Sequence, residues 1–215
     1  MPGMRPTVLR VALAFLAVAT LCVQPALADR SRGRAVAARR ATAVLAGGCF
    51  WGVEAVFQHL IGVRSVTSGY ARDPRRAAMP SLPVPVEAVR IVYEPATITY
   101  RQLLDVFFAI AHDPTLRDRQ GPDVGPEYRA VVFYQRPIER EEAERFIAEL
   151  GQAKRFEGPI VTEVRSLAGF EVAEDDHQNY AARHPADPYI VQNDAPKLAR
   201  LKAGFPALYQ ERSAP

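Results

Sequence analysis

Cysteine is almost missing from this sequence. The 215 residues hold two, Cys22 and Cys49, and the first lies in a segment shaped like a leader. Arg5 and Arg10 precede an apolar core from Val11 to Val23, which ends at Pro25 and the small-residue triplet Ala26-Leu27-Ala28. That order predicts a secretory signal peptide over residues 1–28, cut before Asp29. The apolar run falls short of the roughly 20 residues that cross a bilayer, so no membrane span is expected after cleavage. The protein is therefore expected to be exported, to the periplasm or the extracellular space. Cleavage leaves Cys49 alone, which excludes an internal disulfide framework. A lone cysteine in an exported chain reads either as a reactive thiol or as a small buried hydrophobe.

Strong net charge, internal repeats and a second linker are also lacking. Losing the leader takes away two arginines and no acid, so the formal charge drops from +3 to +1. The basic tract Arg30, Arg32, Arg34, Arg39 and Arg40, in an Ala/Gly/Ser context, reads as a flexible linker over residues 29–41. No nucleic-acid partner is expected. The remainder, residues 42–215, is long enough for one substantial core and reads as a single domain.

Within that domain the apolar pattern alternates between two periods. Residues 42–46 suit a buried strand. Val53, Val56, Phe57 and Leu60 recur at helical spacing, with Glu54 and Gln58 expected to face outward. "GVRSVTSGYA" and "VEAVRIVYE" read as strands on either side of a proline-rich loop, "RDPRRAAMPSLPVP". Thr99 and Gln102 form a capping box ahead of "LLDVFFAIA", a helix ending near His112. "RAVVFY" is a strand, Pro137 opens a helix that runs to about Gly151, and "PIVTEV" is a further strand. The order β-α-β-β-α-β-α-β predicts an α+β fold, a two-layer sandwich with a ferredoxin-like core in which helices pack on a mixed sheet.

The surviving cysteine sits in "GGCFWG", between the first strand and the first helix. First-turn amides of a helix lack internal partners and carry partial positive charge, so a thiolate there is stabilised and its pKa is expected to fall. Gly47 and Gly48 would let a substrate approach the backbone closely. Phe50 and Trp51 read either as core or as an apolar pocket beside the nucleophile. Glu87 shares a strand face with Val89, Ile91 and Tyr93, which should raise its pKa and keep it protonated.

"GCFWGVE", "GYA", "VEAVRIVY", "HDPT", "RQGPDVGPEYR" and "AEDDHQNY" occur in that order. Together they resemble the A family of peptide methionine sulfoxide reductases. The tail "PYIVQNDAPKLARLKAGFPALY" resembles the ending of one branch of that family. The resemblance implies that Cys49 attacks the sulfur of a methionine-S-sulfoxide, in oxidised proteins and peptides or as the free amino acid. Glu87 would be the acid and Tyr128 a donor to the sulfoxide oxygen, with Asp123 close to the reactive centre. Phe50 and Trp51 would cradle the S-methyl group, with Tyr70 and His177 also on the substrate side. His177 beside Glu174, Asp175 and Asp176 suggests a metal cluster, but consecutive acids cannot all face one ion, and a structural histidine is the preferred reading.

No cofactor or metal is implied. Cys49 would become a sulfenic acid. With no second cysteine to resolve it, an external thiol such as a thioredoxin-like protein would have to do so. One departure stands out. Between Tyr70 and Glu87 the family carries a second oxygen-binding tyrosine and a histidine-containing turn, whereas this chain reads "ARDPRRAAMPSLPVPVE". Tyr70 is the candidate replacement. The competing reading is a degenerate reductase scaffold that binds Met sulfoxide or a partner with little turnover.

Overall fold

The structure is a computed structural model that describes Gly3, residues 40–74 and residues 85–211. The expected signal peptide, nearly all of the expected linker and most of the proline-rich loop lie outside the described residues.

β1 (Ala41–Ala46) begins one residue inside the stretch read as linker. It leads through Gly47-Gly48 into α1 (Phe50–Gln58). β2 (Val63–Arg72) and β3 (Val86–Tyr93) come next. The Thr99–Gln102 capping box opens α2 (Tyr100–Val106), which runs on as a π-helical turn, Phe107–Ala111. A short hairpin of β4 (Arg119–Gln120) and β5 (Asp123–Val124) leads to a 3₁₀ turn, Pro126–Tyr128, and then to β6 (Val131–Tyr134). α3 (Pro137–Gln152) precedes β7 (Glu163–Ser166) and β8 (Gly169–Val172). The chain closes with α4 (Tyr180–Arg183), a π turn at Ile190–Asp194, and α5 (Ala195–Gly204).

The main sheet has the order β7-β6-β1-β3-β2-β8. All pairings are antiparallel except β6–β7. The inner four strands with α1 and α2 make the expected ferredoxin-like unit, so the α+β sandwich is the fold. Strand periodicity divides the core into two layers. Leu45, Val89, Ile91 and Tyr93 pack with Val53, Val56, Phe57, Leu103 and Phe107. Val44, Ala46, Val86, Ala88 and Phe133 form a smaller cluster with Leu167 and Phe170. A fully buried Phe57 or Leu103 contributes about 1.5–3 kcal/mol. Among the described residues, no helix is long and apolar enough to cross a membrane.

Two local expectations fail, each because a distant segment intervenes. Glu54 and Gln58 do not face solvent, being 1% and 5% exposed. The Asn179 amide donates to Glu54 at 2.9 Å, and Gln58 donates to the Asn179 side chain at 2.8 Å. The C-terminal segment thus covers the polar face of α1, and Asn179 takes a left-handed φ of 55° to do so. The strand expected over "PIVTEV" starts only at Glu163. Before that point the Val161 amide donates to the Pro114 carbonyl, which ties the segment to a loop instead of to the sheet.

Candidate active site

Cys49 caps the N-terminus of α1 with a non-helical backbone, φ −49° and ψ 122°. The turn before it is glycine because the protein itself crowds it. Gly48 has φ +88°, and a Cβ there would stand 2.5 Å from that of Gln120. A Cβ on Gly47 would meet the Phe107 ring at 2.9 Å and His112 at 3.1 Å. The two glycines therefore admit neighbouring side chains, not a substrate as expected. His112 is buried and neutral, its pKa pushed down to about 4 by burial. Its ring nitrogens bond the Phe107 carbonyl and the Thr162 hydroxyl, both at 3.0 Å.

The first amides of α1 are shared between two reactive groups. The Phe50 amide donates to a Glu87 carboxylate oxygen at 3.1 Å, and the nearby Trp51 amide pulls the Cys49 pKa down. Burial pushes the Glu87 carboxyl up to about 7 against the pull of the Phe50 amide, and the Asp123 and Glu127 charges add to the rise. The expected raised acid is present. The expected low cysteine pKa is not. Burial first, and the Glu87 charge second, push the Cys49 thiol up to about 12. With only 9% of the residue exposed, desolvation outweighs the helix-start donors in the resting site.

Tyr128 lies on the 3₁₀ turn, and burial together with the charges of Glu87 and Asp123 lifts its pKa to about 12. It is therefore a hydroxyl donor at every working pH. The turn is held by Arg129, which donates to the Pro126 carbonyl at 2.7 Å and faces Asp73, at the end of β2, at 3.9 Å. Tyr70 is the cross-strand partner of Glu87. Its ring centroid stands 5.7 Å from that of Phe50, but its hydroxyl reaches the Glu174 carboxylate at 3.4 Å, toward the rim.

Trp51 is clamped from several sides. It stacks on Tyr180 with centroids 3.7 Å apart and lies edge-on to Tyr189 at 5.7 Å. Its indole N–H donates to His177 Nδ1 at 3.2 Å. The indole can only donate, so that histidine nitrogen is the acceptor and the ring's proton sits on Nε2. The His177 ring also lies 5.4 Å from Phe50. His177 thus orients the pocket aromatics. Among the described residues no group of three His, Cys, Asp or Glu is placed to hold a metal ion.

Sequence reasoning missed Tyr189. Its hydroxyl donates to the Asp123 carboxylate at 2.5 Å and contacts the Cys49 sulfur, where it opposes the rise in the thiol's pKa. Burial and the neighbouring Cys49 and Asp123 charges push the Tyr189 phenol well above its ordinary range. The only signal in the chain was its place in the tail "PYIVQND". Asp194 was missed too. It is buried against Gly52, where a Cβ would stand 2.0 Å from its Oδ1, and it pairs with Lys197 at 3.1 Å. The structure therefore brings Cys49, Glu87, Asp123 and Tyr128 together, with Phe50, Trp51, Tyr70 and His177 alongside.

Comparison with known proteins identifies the family. The family model described as peptide methionine sulfoxide reductase matches residues 41–207. Peptide methionine sulfoxide reductase MsrA 2 of Mesorhizobium japonicum is 43% identical over 176 residues, 80% of this chain and 90% of the relative. The MsrA of Ralstonia nicotianae is 48% identical over 173 residues, 76% of this chain and 90% of the relative. Among solved structures, reduced Mxr1 of Saccharomyces cerevisiae superposes with a TM-score of 0.58 at 28% identity, covering 69% of this chain and 88% of that one. Methionine sulfoxide reductase A of Corynebacterium diphtheriae gives a TM-score of 0.55 at 30% identity, covering 68% and 76%. The chain belongs to the peptide methionine sulfoxide reductase A family and is an oxidoreductase that reduces methionine sulfoxide.

Proposed function

We propose that this enzyme reduces methionine-S-sulfoxide in exported proteins and peptides through a Cys49 sulfenic acid, which an external thiol then reduces. The observation that carries the reading is a cysteine at the helix start with a raised acid fastened to the next residue's amide. The substrate's S-methyl group lies against Phe50 and Trp51, and its oxygen faces Glu87 and Tyr128. Glu87 gives its proton to the oxygen as the Cys49 sulfur attacks the sulfoxide sulfur. The thiol proton replaces the one that Glu87 released. In net terms the oxygen ends on Cys49 as a sulfenic acid and methionine leaves. One sulfur is reduced by two electrons and the other is oxidised by two.

Regeneration takes two thiols. The first displaces the sulfenic hydroxyl as water and forms a mixed disulfide. The second releases Cys49 and leaves the reductant as its own disulfide. A thioredoxin-like protein or a small thiol can fill this role. The chemistry needs no metal or organic cofactor, since Glu87 handles the proton and Cys49 the electrons.

The test is to incubate the protein with mixed sulfoxide epimers and dithiothreitol and follow each epimer by chiral chromatography. Loss of the S epimer alone, abolished by Cys49→Ser, supports the reading. Absence of turnover with intact binding identifies a sulfoxide-binding scaffold instead.

A further inference from the structure

Cys49 also borders an opening in the surface. It is a pocket of about 230 Å³ walled by Cys49, Tyr189 and four charged side chains, Asp113, Asp123, Lys197 and Arg200. Phe50, Trp51, Tyr70, Glu87 and Tyr128, the groups assigned to the sulfoxide, do not line it. Cys49 is thus shared by an aromatic side and a charged side.

The second step of the reaction calls for such an arrangement. A thiol that displaces the sulfenic hydroxyl must approach the sulfur in line with the breaking S–O bond, away from the oxygen. The oxygen is held toward Glu87 and Tyr128, so the attacking thiol needs an entrance that these two do not line. The charged pocket is one. Its volume lies just under the range of small-molecule pockets, so it takes a group of amino-acid size and not a folded domain. Its charges are balanced, two of each sign, which favours a zwitterion over a polyanion. Lys197 already pairs with Asp194 at 3.1 Å, but an ammonium has three donors. Asp123 accepts from Tyr189 through one of its two oxygens.

We propose that this pocket binds the reductant, a small zwitterionic thiol of the glutathione type. Its carboxylate meets Lys197 and Arg200, its ammonium meets Asp113 and Asp123, and its sulfur is delivered to Cys49. The proposal rests on the sulfenic acid reading given above. The thiol's sulfur forms a bond to the Cys49 sulfur as the S–O bond breaks, and the thiol's proton goes to the departing hydroxyl, which leaves as water. A second molecule of the same thiol then cleaves the mixed disulfide.

Two measurements test it. The first is binding of S-methylglutathione, which cannot react, to the reduced protein, read from backbone amide shifts. Shifts at Gln120, Asn193 and Arg200 are expected, and their absence overturns the site. The second is the rate at which the Cys49 sulfenic acid, formed with Met sulfoxide, is reduced by glutathione or by uncharged 2-mercaptoethanol. Arg200 is exposed at the surface, so its replacement does not threaten the fold. Arg200→Gln should slow glutathione about tenfold, as expected for one charge-assisted hydrogen bond. It should leave 2-mercaptoethanol and the sulfoxide step unchanged, and Arg200→Lys should restore part of the loss. Equal effects on both thiols overturn the proposal. So does glutathione that is no faster than 2-mercaptoethanol while a thioredoxin-like protein reacts rapidly, because that assigns the face to a protein. If Met sulfoxide yields no sulfenic acid, the reductase mechanism fails, and the S-methylglutathione experiment still decides the pocket.

Discussion

The Phe50 backbone amide donates to the Glu87 carboxylate at 3.1 Å, so the proposed acid is fastened to the residue that follows the proposed nucleophile. A 37-residue separation in sequence becomes one hydrogen bond because β3 lies beside β1, whose end delivers Cys49. Burial shifts the proton affinity of both groups. It holds the Glu87 carboxyl at about 7 and keeps the Cys49 thiol protonated in the resting site.

The pH dependence of the sulfoxide step is set by this pair. In the proposed mechanism Glu87 donates only while protonated, so single-turnover rates should fall as pH rises through about 7. The Cys49 thiol, at about 12, adds no rising limb across the neutral range. Glu87→Gln should lower the plateau by a factor of about 10²–10⁴ and erase the descending limb. An unchanged plateau would remove Glu87 from the role of acid.

The same substitution should stabilise the protein at alkaline pH. A carboxyl whose folded pKa is raised from 4.5 to about 7 binds its proton more tightly when folded. Its stabilising contribution is full below pH 4.5 and gone above about pH 7, a difference of about 3 kcal/mol. A glutamine amide oxygen can still accept from Phe50 and never ionises. Denaturant titrations should find Glu87→Gln and the parent alike near pH 4, with the variant ahead at pH 8. Equal stability at both values would contradict the buried-acid description.

Tyr189 is expected to support the nucleophile. Tyr189→Phe removes the hydroxyl that bonds Asp123 and contacts Cys49, so the thiol should be still harder to ionise. Iodoacetamide labelling of Cys49 at fixed pH should slow. The sulfoxide step should slow by a factor of about 10²–10³ if the hydroxyl acts in the transition state. Labelling at the parental rate would confine Tyr189 to packing.

His177 acts on the pocket through Trp51. His177→Leu deletes the acceptor of the indole N–H and frees the ring to rotate. KM for a sulfoxide peptide should rise several-fold while kcat changes little. The fluorescence of Trp51, the chain's single tryptophan, should report the looser ring. A loss confined to kcat would place His177 in the chemistry instead.

The glycine ahead of the nucleophile gives a structural check. Gly48→Ala must hold alanine at φ +88° and push a Cβ against Gln120 at 2.5 Å. Strain of this kind costs about 1–3 kcal/mol, and Tm should fall accordingly.

Local periodicity carried most of the fold. The α1 stripe, the alternation of β3 and the Thr99 capping box are properties of neighbouring residues, and each appears where the pattern placed it. What escaped depends on contacts across the chain. Glu54 and Gln58 look like solvent-facing residues until Asn179, more than a hundred positions later, covers them. Tyr189 and Asp194 sit in a tail whose local pattern says nothing about Cys49, and β8 is only four residues long. The helix start does act on Cys49 in the direction its position suggested, since the Trp51 amide pulls the thiol's pKa down. Burial decided the sign, and burial is set by the whole domain.

The most direct measurement is a single turnover without reductant. Fully reduced protein is mixed with excess methionine-S-sulfoxide, methionine is quantified, and the Cys49 peptide is weighed by mass spectrometry. The mechanism predicts one methionine per chain, one added oxygen on Cys49, no product from the R epimer, and further turnover only when thiol is supplied. Continued turnover without thiol, or methionine released with Cys49 unmodified, would contradict it.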